Sequence, residues 1–140
     1  SVVAQKFPLI ATGQAVTLFK SHHPDYPDGG QQRDFVFVDD CVNVMLWLLD
    51  HPEVSGLYNL GSGQARSFAD LAQATAVAAG KELSIDFIPM PEAIRPNYQY
   101  YTQARMERLR AAGYDRPLTS LDEGVGEYVT KYLARSDRFR

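Results

Sequence analysis

Hydrophobic side chains alternate along the octet RDFVFVDD at residues 33–40. In an extended segment, its two phenylalanines fall on one face and its two valines on the other. Because both faces are apolar, the pattern predicts a strand or extended segment that is buried on both sides. Arg33 then lies at the edge where this segment meets the preceding loop.

The remaining pattern predicts that helices and short strands alternate, which is typical of an α/β fold. Helices are expected over residues 1–13, 41–49, 68–79, 102–112 and from 121 onwards, and strands over residues 15–19, 57–60 and 84–88. These strands are too few and too short for an independent doubly wound sheet. The strand at 57–60 requires parallel neighbours that the chain does not obviously supply.

Polar residues at the predicted helix starts indicate where the helices begin. Ser67 with Asp70, and Ser120 with Glu123, have the three-residue spacing of a capping box. Two further helices are expected to begin after a single capping residue, at Asp40 and Thr102. The apolar positions expected along one side of the helix that follows Asp40 are Val42, Met45, Leu46 and Leu49.

Composition limits the class of protein without identifying it. With 140 residues, of which 45% are hydrophobic and 22% charged, the chain is typical of one globular domain. Its formal net charge of -3 gives no support to a nucleic-acid partner, and no apolar run predicts a membrane span. The single cysteine, Cys41, fits a reducing compartment, so we expect a cytoplasmic location, with Cys41 buried on a helix. The basic tail after Leu133 is expected to be solvated.

A polar loop, KSHHPDYPDGG, occupies residues 20–30. Its histidines and aspartates match neither the spacing of a zinc site nor that of a calcium loop, so no metal site is predicted. A solvated or ligand-covering loop is the better interpretation, because long irregular loops in compact domains are often functional. The turn at residues 61–63 lacks the third glycine of a dinucleotide loop, which favours a simple strand-to-helix turn.

Arg33 is the residue whose position most suggests binding chemistry. A guanidinium held at the end of a rigid element can make a forked contact with a phosphate or a carboxylate. The alternative is a surface ion pair with Asp34 or Asp39. The octet alone does not decide between these two interpretations.

Several separated motifs together resemble one family. The octet at 33–40 followed by a helix, and then GLYNLGSG at 56–63, look like the C-terminal half of an extended short-chain dehydrogenase/reductase that acts on a nucleotide sugar. Three further stretches are similar to the branch of this family that epimerises an ADP-heptose at carbon 6. They are LFKSHHPDY at 18–26, YQYYTQA at 98–104 and LRAAGYDRP at 109–117.

The resemblance implies that residues 1–140 are the substrate-binding part of a longer isomerase whose Rossmann half is missing. The chain begins at Ser1, within a predicted helix and without a methionine, which agrees with that expectation. Members of the family use a Tyr-x-x-x-Lys pair, yet no lysine stands four residues after any tyrosine here. We therefore expect no catalytic residue in this chain and no activity from it alone. NADP, bound mainly by the missing N-terminal half, would oxidise carbon 6, and the ketone would be reduced on its other face.

The resemblance also implies a substrate-binding site, a pathway and an assembly. Arg33 matches the arginine that holds the diphosphate, and Tyr98 matches a tyrosine that contacts the substrate. The other implied substrate-binding residues are Phe19, Lys20, Ser21 and His22 of the loop, and Gln5, which stands where some members have a histidine. The implied pathway is the synthesis of the lipopolysaccharide inner-core heptose, and the family's habit suggests a homo-oligomer.

Three alternatives compete with this interpretation. The first is another nucleotide-sugar enzyme, such as a UDP-hexose epimerase or a dehydratase. The second is a non-catalytic binding or assembly module that kept the fold and lost the chemistry. The third, a fortuitous resemblance of a small α/β domain, is disfavoured because separated motifs agree in order.

Overall fold

The computed structural model describes residues 1–135 and has an α/β architecture, as predicted. The helices of this part of the chain are α1 (Val2–Ala11), α2 (Val38–Asp50), α3 (Phe68–Ala79), α4 (Glu107–Ala111) and α5 (Leu121–Tyr128). Its strands are β1 (Val16–Phe19), β2 (Gln32–Asp34), β3 (Ala65–Ser67) and β4 (Ile85–Ile88). A 3-10 turn at Arg95–Asn97 and a π-helical turn at Val129–Leu133 complete the described elements.

The four strands pair two by two. β1 and β4 are parallel, with Val16 opposite Ile85. β2 and β3 are antiparallel, with Arg33 opposite Arg66. The second pair brings the start of the octet next to the residues that lead directly into α3.

Helix α3 is the centre of the packing. The cluster that it shares with α1, α5 and the π-helical turn contains Val3, Leu71, Ala74, Val125 and Val129. The cluster that it shares with α1 and β1 contains Ile10, Val16, Leu18, Ala72 and Ala76. A third cluster, around α2 and α4, contains Val44, Trp47, Leu109 and Tyr114. The many alanines of α3 allow neighbouring elements to approach closely on both sides.

Both predicted capping boxes are confirmed. Asp70 N–H donates to the Ser67 hydroxyl at 2.9 Å, and the Asp70 carboxylate accepts from Ser67 N–H at 3.0 Å. Ser120 and Glu123 make the same reciprocal pair at the start of α5. These boxes satisfy amide groups that would otherwise lack partners at the helix ends, so both helices begin where the spacing predicts.

The prediction of a doubly buried strand at 33–40 is wrong. The ladder ends at Asp34, and the Val38 side chain is 64% exposed. Helix α2 then begins at Val38, earlier than expected, because two aspartates in its first turn stabilise the helix N-terminus. Asp40 is therefore not the cap. It lies inside the first turn, where its carboxylate accepts from Thr119 N–H at 2.9 Å and from the Thr119 hydroxyl at 3.0 Å.

Two other predicted elements, a strand at 57–60 and a helix that begins after Thr102, do not form. Residues 57–60 form no ladder within the described part of the chain, because no strand there lies beside them. Thr102 caps no helix, and α4 begins only at Glu107. The intervening segment is held against β3 instead, because Gln103 accepts from Ala65 N–H at 3.1 Å.

Three smaller expectations concern exposure. Cys41 is only partly buried, and that burial raises the pKa of its thiol. No helix within residues 1–135 is long and apolar enough to cross a bilayer. The predicted solvated tail lies mostly outside the described residues.

Candidate functional site

Arg33, in the middle of β2, has its guanidinium against two aromatic rings. Its Cζ lies 5.3 Å from the ring centre of Tyr98 and 5.8 Å from that of Phe68, which is cation–π geometry. Its Nη1 donates to the backbone oxygen of Gln32 at 2.7 Å. A guanidinium carries five N–H donors, so this single bond leaves most of the fork for another acceptor.

The ion-pair alternative for Arg33 is wrong. None of the ion pairs within residues 1–135 includes Arg33. Its neighbour Asp34 is engaged elsewhere, and Asp39 lies in the first turn of α2. The cation opposite in the ladder, Arg66, is the one that pairs, with Asp70 at 3.2 Å and Asp122 at 3.3 Å.

The carboxylate of Asp34 joins three separate segments of the chain. One oxygen accepts from both the N–H and the hydroxyl of Ser62, each at 2.6 Å. The other accepts from Gly63 N–H at 3.0 Å and from Ala104 N–H at 2.8 Å. Because two amides of the turn at 61–63 donate to Asp34, they do not form a phosphate cradle, which agrees with the prediction of a simple turn.

The environment of Asp34 favours its charged form. Partial burial raises the pKa of its carboxyl, but the hydrogen bonds from Ser62, Ala104 and Gly63 outweigh burial and leave the pKa below its ordinary value. A charged Asp34 fixes the end of β2 against the turn and against the segment that follows Tyr98. The backbone that carries Arg33 is thereby held in one place.

Tyr98 follows the 3-10 turn at Arg95–Asn97 and lies partly buried among aromatic rings. Its ring meets that of Phe19 edge-on, with centres 6.4 Å apart, and that of Tyr100 with centres 5.5 Å apart. Burial raises the pKa of Tyr98, with Arg33 acting in the opposite direction and Tyr100 adding to the rise. The hydroxyl therefore stays protonated near neutral pH and can donate to an anionic or sugar oxygen.

The loop at 20–30 is anchored at its base, close to Arg33. The Gln31 side chain is only 1% exposed, and its amide donates to the backbone oxygens of Phe19 and Lys20, both at 3.3 Å. Gly29 N–H donates to the same Phe19 oxygen at 3.1 Å. In turn, the first amides of α3 donate to the oxygens of Gln31 and Gly29. The loop is thus tied to both β1 and α3.

Three of the seven residues expected to bind substrate are in contact in the structure, and three more follow Phe19 directly in the chain. Arg33 and Tyr98 are in contact, Phe19 packs on Tyr98, and the backbone of Lys20, Ser21 and His22 continues from Phe19 into the loop. Gln5 is different: it lies exposed on α1, and no side-chain hydrogen bond or ring contact within residues 1–135 joins it to the others. The binding roles of all seven stay predictions.

Three residues that matter to this geometry were not predicted: Asp34 as an acceptor, Gln31 as an anchor and Tyr100 as a contact of the loop. The donors to Asp34 lie 28 to 70 residues away in sequence, so no local pattern shows them. The only available signal was the cluster of tyrosines at 98–101. Such a cluster favours aromatic packing in general, but it does not show which ring faces the loop.

An apolar cavity lies apart from this cluster. It has a volume of about 540 Å³ and runs between the start of α1, the segment after β2 and α5. Its lining is mostly apolar and includes Val2, Phe35, Leu121 and Val125. Such a lining suits an apolar neighbour rather than a phosphate, so the cluster around Arg33 is the better candidate for a polar ligand. Within residues 1–135, no group of three or more acidic, histidine or cysteine side chains could hold a metal ion.

Comparison with known proteins gives the class of this fold. The sequence pattern of the NAD dependent epimerase/dehydratase family matches residues 1–61. The structure superposes on the UDP-glucose 4-epimerase of Thermus thermophilus, solved in complex with NAD, with a TM-score of 0.71 at 30% identity over 89% of this chain. The chain therefore has the fold of one part of an extended short-chain dehydrogenase/reductase, as its motifs predicted.

Within that class, the sequence is similar to ADP-heptose epimerases. The chain is 48% identical, over 99% of its length, to the ADP-L-glycero-D-manno-heptose-6-epimerase of Nitratidesulfovibrio vulgaris (strain DP4). The crystal structure of the Helicobacter pylori ADP-L-glycero-D-manno-heptose-6-epimerase matches with a TM-score of 0.72 at 26% identity over 94% of this chain. The resemblance predicted from the sequence is confirmed.

The match covers only part of each relative. The chain spans 43% of the N. vulgaris protein and 37% of each of the two solved chains.

The first prediction concerns the charge of Asp34. Asp34→Asn replaces one accepting oxygen with an NH2 group, which cannot accept from the neighbouring donors. We therefore expect the free energy of unfolding at pH 7 to fall by about 1.5–3 kcal/mol. Because the folded pKa lies below the unfolded value of about 3.9, the charged form stabilises the fold above that pH, and its contribution is lost as the pH falls through the folded pKa. Urea unfolding of parent and variant should therefore differ clearly at pH 7 and much less near pH 3.

The control is Asp86→Asn, which changes an exposed aspartate of β4 and should leave the free energy of unfolding within about 0.5 kcal/mol. A deficit in Asp34→Asn that is equally large at both pH values would contradict the role assigned to the charge.

The second prediction concerns Gly61. A Cβ there would collide with the Asp34 carboxylate and would lie 2.6 Å from the Ala104 Cβ. Gly61→Ala should therefore destabilise the fold by about 1–3 kcal/mol in chemical unfolding. The matched control is Gly126→Ala in α5, where a Cβ meets open space, and which should stabilise by about 0.5–1 kcal/mol. Equal effects of the two substitutions would show that the packing around Asp34 is looser than described.

Proposed function

We propose that residues 1–140 are the substrate-binding part of a longer, NADP-dependent isomerase that inverts carbon 6 of an ADP-heptose. The proposal rests on the surroundings of the Arg33 guanidinium. The guanidinium has no acidic partner within residues 1–135, lies over the Tyr98 ring and sits on a strand whose end is fixed by Asp34. A cation arranged in this way suits the diphosphate of a nucleotide sugar.

The binding chemistry follows from the donors at the site. The fork of Arg33 can make two parallel bonds to phosphate oxygens, and a charge-assisted contact of this kind contributes about 1.5–3 kcal/mol in all. The protonated Tyr98 hydroxyl is a second donor beside it. The loop from Phe19 to His22 adjoins Tyr98 and would contact the nucleotide. Gln5, which lies exposed on α1, is also proposed to contact the substrate.

Exposed apolar side chains support the proposal that the chain is part of a longer protein. The apolar side predicted for α2 is largely solvent-exposed, with Leu49 at 76%, and Leu57 is 82% exposed. The segment at 57–60 also has no ladder partner within the described residues. A Rossmann half would cover these side chains with an apolar face and would pair a parallel strand with the segment at 57–60. The catalytic residues would lie in that half, and this chain alone would be inactive.

NADP does not fit the residues described here. Among residues 1–135, the turn at 61–63 is the segment most similar to a dinucleotide-binding loop. Two of its amides donate to Asp34 and so do not face a phosphate. We therefore place NADP mainly in the N-terminal half, where it would supply the hydride-transfer chemistry. The choice of NADP over NAD is part of the proposal and follows the resemblance of the motifs at 18–26, 98–104 and 109–117.

The wider setting of the protein is proposed from the same similarity. An ADP-heptose epimerase would serve the synthesis of the lipopolysaccharide inner core, a branch of carbohydrate metabolism. We expect a cytoplasmic homo-oligomer without a nucleic-acid or membrane partner, since the single cysteine fits a reducing compartment and the net charge is -3.

A UDP-sugar epimerase is the second candidate, since the T. thermophilus UDP-glucose 4-epimerase shares this fold at 30% identity. Nucleotide preference separates the two. In calorimetric titrations of the full-length gene product, ADP and ADP-mannose should bind more tightly than UDP-glucose. A preference for UDP-glucose would favour the second candidate, and no binding of any of the three would favour a non-catalytic module.

The third prediction tests Arg33. Arg33→Ala should weaken the binding of ADP by roughly 10- to 150-fold, which corresponds to about 1.5–3 kcal/mol, while the melting temperature stays close to that of the parent. Arg33→Lys keeps the charge but loses the fork, so its affinity should fall between the two. Titration calorimetry on the full-length gene product gives the affinities, and thermal unfolding checks the fold.

Arg108→Ala is the matched control for Arg33. Arg108 also lies over a tyrosine ring, with its Cζ 5.2 Å from the centre of Tyr58, but it is not among the residues of the site. Its removal should leave ADP affinity unchanged. Unaltered affinity in Arg33→Ala together with lost thermal stability would assign Arg33 a structural role and contradict the proposal.

A further inference from the structure

Tyr100 contacts the outer part of the 20–30 loop. Its hydroxyl accepts a hydrogen bond from His22 N–H at 2.9 Å. Its ring centre lies 5.1 Å from that of His23 and 5.3 Å from that of Tyr26, both in tilted contact. One side chain therefore touches three positions of the loop.

Tyr100 also contacts the pair formed by Arg33 and Tyr98. Its ring meets that of Tyr98 edge-on at 5.5 Å. Its backbone oxygen accepts from Gln32 N–H at 2.8 Å, directly before Arg33 in β2. Tyr100 is thus a bridge between the loop and the two residues that carry the proposed site.

The outer part of the loop has few other attachments. The buried Gln31 and the amide of Gly29 fix its base, as described above. Several bonds of residues 21–27 stay inside the loop, for example from Ser21 N–H to the Asp28 carboxylate at 2.7 Å. Within residues 1–135, the hydrogen bonds and ring contacts that join residues 21–27 to the chain outside the loop all end on Tyr100.

We propose that Tyr100 is a positioning residue, which holds residues 21–27 beside Arg33 and Tyr98 so that a nucleotide meets an ordered loop. This inference rests on the proposed function of the site. Its physical basis is preorganisation: a loop that is ordered before binding spares the ligand the entropic cost of ordering it. Tyr100 itself needs no contact with the ligand, since it acts through the backbone of His22 and the rings of His23 and Tyr26.

The fourth prediction compares two adjacent hydroxyl groups. Tyr100→Phe removes the acceptor for His22 N–H and keeps the ring. Tyr101→Phe is the matched control, because its hydroxyl donates to Gln103 at 2.7 Å and, within residues 1–135, makes no hydrogen bond to the loop. In Tyr100→Phe, amide hydrogen exchange of residues 21–27 should speed up, and the Kd for ADP should rise roughly two- to tenfold. In Tyr101→Phe, exchange in the loop and the Kd should match the parent.

Tyr100→Ala extends the series, since it removes the ring contacts as well, and it should show faster loop exchange and weaker ADP binding than Tyr100→Phe. Both measurements are made on the full-length gene product, with thermal unfolding as a check that each variant folds. Loop exchange that stays at the parent level in Tyr100→Phe would overturn the inference. Faster loop exchange with unchanged ADP affinity would overturn it too.

The same experiments distinguish a failure of the proposed function from a failure of the inference about Tyr100. If the parent protein itself does not bind ADP, the nucleotide site is wrong. Hydrogen exchange in Tyr100→Phe and Tyr101→Phe then still decides whether Tyr100 orders the loop.

Discussion

The carboxylate of Asp34 is the constraint on which the geometry of the candidate site depends. It gathers donors from the turn at 61–63 and from Ala104, segments that are distant in sequence and that have no ladder of their own at this point. A charged acceptor satisfied by several donors is a strong local restraint, because removing it would leave several polar groups unpaired at once. The glycine at 61 is part of the same restraint, since it leaves room for the carboxylate and for Ala104.

The restraint has a consequence for Arg33, the residue next to Asp34. Because Asp34 is committed to amides and a hydroxyl, it does not neutralise its neighbour. Phe68 and Tyr98 cover the guanidinium without satisfying its donors. The result is a positioned cation with unused hydrogen-bonding capacity, beside a protonated tyrosine and an anchored loop. Anions with several acceptor oxygens, such as a diphosphate, match that arrangement.

Local signals predicted much of the fold. The Ser67–Asp70 and Ser120–Glu123 boxes fixed the starts of α3 and α5, since such caps act within one turn. Predictions failed where the outcome depends on partners far along the chain or outside the described residues. The valines of the octet were expected to be buried, but nothing among residues 1–135 covers that side of Val38. Thr102 has the chemistry of a cap, yet its segment is held by Asp34 and Ala65.

For the site, the motifs indicated which residues to examine, and the structure shows how Arg33, Tyr98 and Phe19 meet. The connections through Asp34, Gln31 and Tyr100 depend on tertiary contacts that no spacing in the sequence reveals. A crystal structure of the full-length gene product with ADP-mannose would show whether Arg33 holds the diphosphate of an ADP-sugar. In that structure, the Arg33 guanidinium should form two hydrogen bonds to diphosphate oxygens, with Tyr98 alongside. A diphosphate bound elsewhere, or Arg33 paired with a carboxylate from the rest of the protein, would contradict that role of Arg33.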